Sequence, residues 1–237
     1  MARKRPGARG MDSARGLLAI GWRSVKVNAG PMAVLWTLAL LICVAWYLVP
    51  QVASALAVFG RWQTEYGWLA SCVNRIVTGG LVPGACLCLV PALRPRRQAL
   101  TIGLQCAWSG LLGLPQDCWF SLQEGWFGPS DTLRVIVAKT LADQLGWAVF
   151  VTTPLNSLFY TWTGNGCSAD FGGVRGWFRR LRRFYLVNLT MNWAVWIPVV
   201  AVIYTFPLPL QMTVSGLVGA AWSLLCLKTG DAAAGND

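Results

Sequence analysis

Six apolar stretches constrain this chain more than any other feature. A bilayer's hydrocarbon core of about 30 Å takes about 20 predominantly apolar residues per helix. Within it only helices and closed barrels satisfy the backbone. The stretches lie at 33–59, with Pro50 inside; 68–93, with Arg75 and a break from Gly79 to Gly84; 99–115; 133–160; 185–206; and 208–227. Pro207 and Pro209 leave room only for a tight turn between the last two. The expected fold is all-α, a polytopic membrane bundle of about six transmembrane helices. Residues 1–30 read as a basic N-terminal segment, 31–228 as the bundle and 229–237 as a short tail. A signal peptide is the rival reading of the start, since Val52, Ala53, Ser54 and Ala55 resemble a cleavage site. The apolar run before them is longer than the usual core of about 7–15 residues, so an uncleaved span is preferred.

A net charge of +11 would suit a nucleic-acid binder, but with only 12% of residues charged, position decides. The basic residues flank the spans. Arg3, Lys4, Arg5, Arg9, Arg15, Arg23 and Lys26 precede the first, and Arg94, Arg96 and Arg97 follow the second. Arg175, Arg179, Arg180, Arg182 and Arg183 follow the fourth, and Lys228 follows the sixth. The alternate loops hold only Arg61 and Arg134. Six spans thus put nearly every basic loop on one side, with both termini cytoplasmic. Within 175–184, Trp177, Phe178 and Leu181 share a helical face with Phe184 and Tyr185, and arginines occupy the other. That pattern reads as an interfacial amphipathic helix whose arginines and Trp177 meet anionic lipid headgroups, or as simple positive-inside flanking; the two are compatible.

Charge at membrane depth is costly, so polar residues inside the spans are the site candidates. Arg75 lies two turns into the second span, Asp117 closes the third, and Lys139 and Asp143 stand one turn apart in the fourth. The set is neutral. It reads either as a hydrated vestibule or as a buried network that fixes helix register. Gln144, Asn156, Asn188 and Asn192 are the uncharged candidates, the three asparagines at the opposite end of the spans. Gly103 with Ala107, Ser109 with Gly113, Ser215 with Gly219, and Gly216 with Ala220 are spaced for close helix packing. Pro83, Pro154 and Pro198 would each free a backbone carbonyl.

Several of these residues carry a family resemblance. Lys139, Asp143 and Gln144 resemble the Lys-x-x-x-Asp-Gln element of the peroxisomal 22-kilodalton membrane protein and mitochondrial inner-membrane channel-like family. Asn192, Trp193, Trp196 and Pro198 are similar to its Asn-Trp-x-x-Trp-x-Pro signature. Trp222 stands where the family has a closing tryptophan, and Asp117, Trp119 and Phe120 resemble its His-x-Trp-Tyr with aspartate replacing histidine. The resemblance covers about residues 115–228. Family members are described with four spans, so the first helix and the basic start look like an addition. The resemblance implies pore formation for small solutes, as inferred for some members. Val200 and Ile203 replace the family's amides after the Trp-Pro, and Trp147 falls where a proline is usual; both departures weaken that implication.

Histidine is absent, which removes the commonest general base and metal ligand. None of the eight cysteines forms a CxxC pair, and Cys86 with Cys88 lacks nearby acids. No enzyme, metal, cofactor or nucleic-acid partner is expected. The leading reading is a weakly selective channel for small solutes lined by Arg75, Lys139, Asp143, Asn188 and Asn192. The alternative is a non-conducting scaffold or assembly factor acting through helix and lipid contacts, and the small-residue faces are compatible with a homo-oligomer. The expected location is a bacterial inner membrane, with an organelle membrane as the other reading.

Overall fold

The computed structural model describes residues 22, 25–26, 29–89, 98–129, 132–168 and 173–234, all-helical apart from short turns. The N-terminal basic cluster other than Lys26, and the loop holding Arg94, Arg96 and Arg97, lie outside the described residues; so does the side chain of Lys228.

Pro50 decides how the chain starts. Helix α1 (Ala29–Leu48) ends one residue before it, and α2 (Pro50–Tyr66) takes it as its first residue. Val49 is extended (φ −118°, ψ 100°), because a residue before proline is pushed out of the helical region. The apolar stretch expected as one span is therefore two helices bent by 104°. Gly67, at φ 52°, turns α2 into α3 (Trp68–Ile76). The expected break at Gly79 and Gly80 is instead a π-helical segment (Val77–Leu81) that leads on into α4 (Val82–Leu89).

Helix α5 (Gln98–Phe127) absorbs Pro115 and runs for 30 residues, so Asp117 lies inside a helix and does not close one. Helix α6 (Leu133–Leu141) begins under a Thr132 cap whose side chain accepts from Val135 N. It passes through a second π segment (Ala142–Thr152) into α7 (Thr153–Gly164). Pro154 has no N–H to give. In π register the orphaned carbonyl is the one five residues earlier, and Tyr185 donates its hydroxyl to Val149 O at 3.0 Å. Helix α8 (Gly173–Ile203) is uninterrupted; the separate helix expected near 175–184 is its first part. The Tyr204–Pro207 turn leads to α9 (Leu208–Ala234), as the prolines required.

By length and apolarity two helical runs can cross a membrane: Leu133–Gly164 (32 residues) and Gly173–Ile203 (31 residues). A third is obtained if the bent pair Trp36–Leu48 and Pro50–Tyr66 counts as one broken span. The expected count of six is thus not supported among the described residues. Helix α5 turns a stripe of Gln105, Ser109, Gln116 and Gln123 toward protein, and α3 carries Asn74 and Arg75.

The interior mixes apolar and polar side chains, while many large apolar side chains face outward. Ser71, Gln123, Lys139, Ser157, Gln211 and Ser215 are 0–1% exposed, whereas Leu48, Leu111, Leu133, Phe150 and Val174 are 67–77% exposed. Exposed apolar surface on this scale marks contact with lipid or another protein.

The chain divides into two units: residues 34–143 with 198–225, and the described parts of 1–33, 144–197 and 226–237. In the first, α3 and its π segment lie against α5 with almost no side chain between. A Cβ on Gly80 would come 2.6 Å from Cys106 Cα, and one on Gly113 2.8 Å from Cys72 Cα. Gly216 of α9 faces Asn74 and Thr78 with the same closeness. In the second, the second π segment and α7 pack on α8 through Tyr160 against Phe184 and through the Tyr185–Val149 bond.

Candidate functional site

The charged residues expected at membrane depth all fall in the first unit, and each meets a partner from its own fold. The Lys139 ammonium, 1% exposed, forms an ion pair with Glu124 of α5. Glu124 lies beyond the point where the third span was expected to end, and so was no candidate. Asp143 accepts from Trp119 Nε1 at 2.9 Å and from the Tyr204 hydroxyl at 3.3 Å. The Gln123 carboxamide bonds the same hydroxyl at 2.6 Å. Phe120 meets the Tyr204 ring edge-to-face at 5.9 Å, and the Lys139 ammonium lies 5.9 Å from that ring's centroid. Lys139 and Asp143 thus sit in one network, as their spacing suggested, but its other members come from α5 and the turn before α9.

Arg75 and Asp117 belong to neighbouring bonds of the same unit. Arg75 donates to Gln116 Oε1, and Gln116 donates to Ser215 Oγ at 3.1 Å. Asp117 accepts from Ser71 at 2.8 Å and from Gln63 at 3.1 Å. Asn74 donates to Thr213 at 3.3 Å. The signal for these missed partners was present in α5. Gln105, Ser109, Gln116 and Gln123 recur at helical spacing, and a repeat of polar side chains along one face of an apolar helix marks the face that packs on protein.

The uncharged candidates belong to the second unit. Gln144 is buried and takes two bonds from α8: Asn192 donates to its side-chain oxygen at 3.3 Å, and Trp193 Nε1 to its main-chain oxygen at 2.9 Å. Asn188 is buried and Asn156 half-buried.

At the start of α8, Arg175, Arg179, Arg180, Arg182 and Arg183 are exposed, and Trp177 is half-buried against Phe178, ring centroids 4.8 Å apart. Arg180 donates to Asn165 Oδ1 at 3.3 Å, tying the arginine face to the turn that ends α7. Beside it an apolar groove of about 270 Å³ runs between α7 and α8, lined by Pro154, Leu158, Phe178, Leu181, Arg182 and Tyr185. A second groove, of about 460 Å³, lies in the first unit between α2 and the Pro207–Pro209 turn, with Arg61 and Glu65 on its wall.

Chemically, the first unit's network can hold charge in a low-dielectric interior and fix the mutual register of α3, α5, α6 and α9. The arginine face can bind anions. No protein-family model matches the chain, and neither a curated protein nor a solved structure matches it.

Proposed function

We propose that the chain is an integral membrane protein that acts as a non-conducting scaffold, working through lipid and helix contacts. The observation that carries this reading is the pairing within the first unit: Lys139 on Glu124, Asp143 on Trp119 and Tyr204, Arg75 on Gln116, and Asp117 on Ser71 and Gln63. Groups that line an aqueous path keep part of their hydrogen-bonding capacity for water and solute. Groups that bond chiefly to one another within the fold specify structure. The exposed apolar surface supports the membrane part of the proposal.

The finer topology belongs to the same proposal. The short or polar helices α3–α4, α5 and α9 lie in the bilayer beside the long ones, giving six spans with both termini and the arginine-rich start of α8 on the cytoplasmic side of a bacterial inner membrane. The loop charges support this arrangement.

A channel for small solutes is the second reading. It is favoured by the buried carboxamides of Gln144, Asn188 and Asn192 on the two helical runs long enough to span, and by the resemblance to the channel-like family. Release of graded neutral and charged markers from proteoliposomes decides between the two. The scaffold reading expects release equal to protein-free vesicles. Size-dependent release that changes in Asp143→Asn or Asn192→Leu would replace it with the channel.

A further inference from the structure

We propose that the groove between α7 and α8 and the arginines beside it form a site for one anionic glycerophospholipid, its acyl chain in the groove and its phosphate on the arginines. The proposal deepens the reading above by naming a partner. It rests on α7 and α8 lying in a bilayer, and not on whether the protein conducts.

Helical spacing builds the groove. Pro154 and Leu158 stand four apart on α7; Phe178, Leu181, Arg182 and Tyr185 follow the i, i+3, i+4, i+7 rule of one face of α8. Carbon makes most of its wall. The Tyr185 hydroxyl is already given to Val149 O, which leaves Arg182 as the charged group of the lining. Proline contributes twice: Pro154 removes the N–H whose absence recruits Tyr185, and its ring is part of the wall.

Charge selects the occupant. Helix α8 carries Arg175, Arg179, Arg180, Arg182 and Arg183 in its first three turns and no acidic residue along its 31 residues. A basic cluster at the end of a spanning helix, opening onto an apolar groove between two helices, matches an anionic headgroup with its tail. Depth agrees as well. The Arg180–Asn165 bond marks the level of the turn, and the Tyr185–Val149 bond marks a deeper one. Leu181 and Arg182 of the groove lie between those levels, and an arginine on such a wall reaches the headgroup layer by extending its stem. Phe178, part of the groove's wall, is 58% exposed, a surface that a hydrocarbon chain would cover.

The test uses the full chain in nanodiscs of phosphatidylcholine with about one-tenth phosphatidylglycerol; the lipid kept after detergent extraction is then quantified. The expected result is phosphatidylglycerol enriched over its bulk share. Arg182→Gln should lower that enrichment about fivefold, the loss of about 1 kcal/mol per basic residue at the surface. Leu158→Trp fills the groove with every arginine intact, and should lower it as well. Leu181→Trp repeats this from the other wall should the first variant misfold. Arg134→Gln, at the start of α6, should leave it unchanged, and so should millimolar inorganic phosphate. Equal retention of the two lipids by the parent protein would overturn the site. So would enrichment that survives both tryptophan variants, which assigns it to diffuse surface charge, or displacement by inorganic phosphate, which assigns it to a free-anion site. Release of the parent protein from membranes by alkaline carbonate strikes the membrane reading instead; loss of enrichment alone does not.

Discussion

Lys139 and Glu124 show how unevenly an ion pair can be buried. The lysine side chain is 1% exposed and the glutamate 28%. Replacing Glu124 by Gln takes the carboxylate from an ammonium that water cannot reach, a change that costs about 3–5 kcal/mol when one partner of a buried pair is removed. Replacing Lys139 by Met leaves a carboxylate that water can still solvate, so the loss should be nearer the worth of one charged hydrogen bond, about 1.5–3 kcal/mol. Thermal unfolding in detergent should therefore rank Glu124→Gln as the more damaging variant. The reverse order, or two equal losses, would mean that the pair does not hold this part of the fold. Half of this pair was legible in the sequence. Lys139 stands out because a cation inside an apolar stretch is costly. Glu124 did not, because hydropathy placed the end of its helix near Pro115, and a carboxylate past a helix end reads as solvated.

At the scale of the element, backbone approach decides more than side-chain chemistry. The first π segment puts Gly80 where a Cβ would stand 2.6 Å from Cys106 Cα, so the obstacle is main chain that no rotamer change can clear. Gly103, on the facing helix α5, has nothing within 4 Å of its added Cβ. Gly80→Ala should destabilise the protein by about 1–3 kcal/mol, as overpacking does. Gly103→Ala should be neutral or stabilise by about 0.5–1 kcal/mol through backbone entropy. Unfolding midpoints of the two variants check this, and a Gly80→Ala protein as stable as the parent would show that the two helices are free to separate. The small-residue spacings were visible in the sequence, yet spacing alone could not sort them: Gly113 and Gly216 are at contacts and Gly103 is not. Periodicity places a residue on a face, and only the neighbouring helix decides whether that face is occupied. The π segments were invisible for a related reason. A change from i→i+4 to i→i+5 bonding leaves the apolar pattern almost intact, and its trace at Pro154 is a missing donor supplied by Tyr185, 31 positions away.

At the scale of the whole molecule, the question is which helices cross. A 32-residue helical run is about 48 Å long at 1.5 Å per residue, more than a hydrocarbon core of about 30 Å. Leu133–Gly164 and Gly173–Ile203 can therefore each reach both interfaces, and a turn at Asn165–Ser168 follows the first of them. If both cross, Cys167 in that turn and Pro207 after α8 lie on opposite sides of the membrane, and Pro129, just before α6, lies on the side of Pro207. The proposed orientation, with the arginine-rich start of α8 inside, has Cys167 on the cytoplasmic side. A cysteine-free background carrying Cys167 alone, Pro129→Cys alone or Pro207→Cys alone separates the arrangements with a membrane-impermeant maleimide. In intact cells the two introduced cysteines should react, and Cys167 should react only after the membrane is opened. Labelling of all three from one side would mean that neither long run crosses, and the exposed leucines and phenylalanines would then have to be covered by protein. Labelling of Cys167 from outside with the other two protected would keep both crossings and invert them, moving the arginine face and its lipid to the outer leaflet.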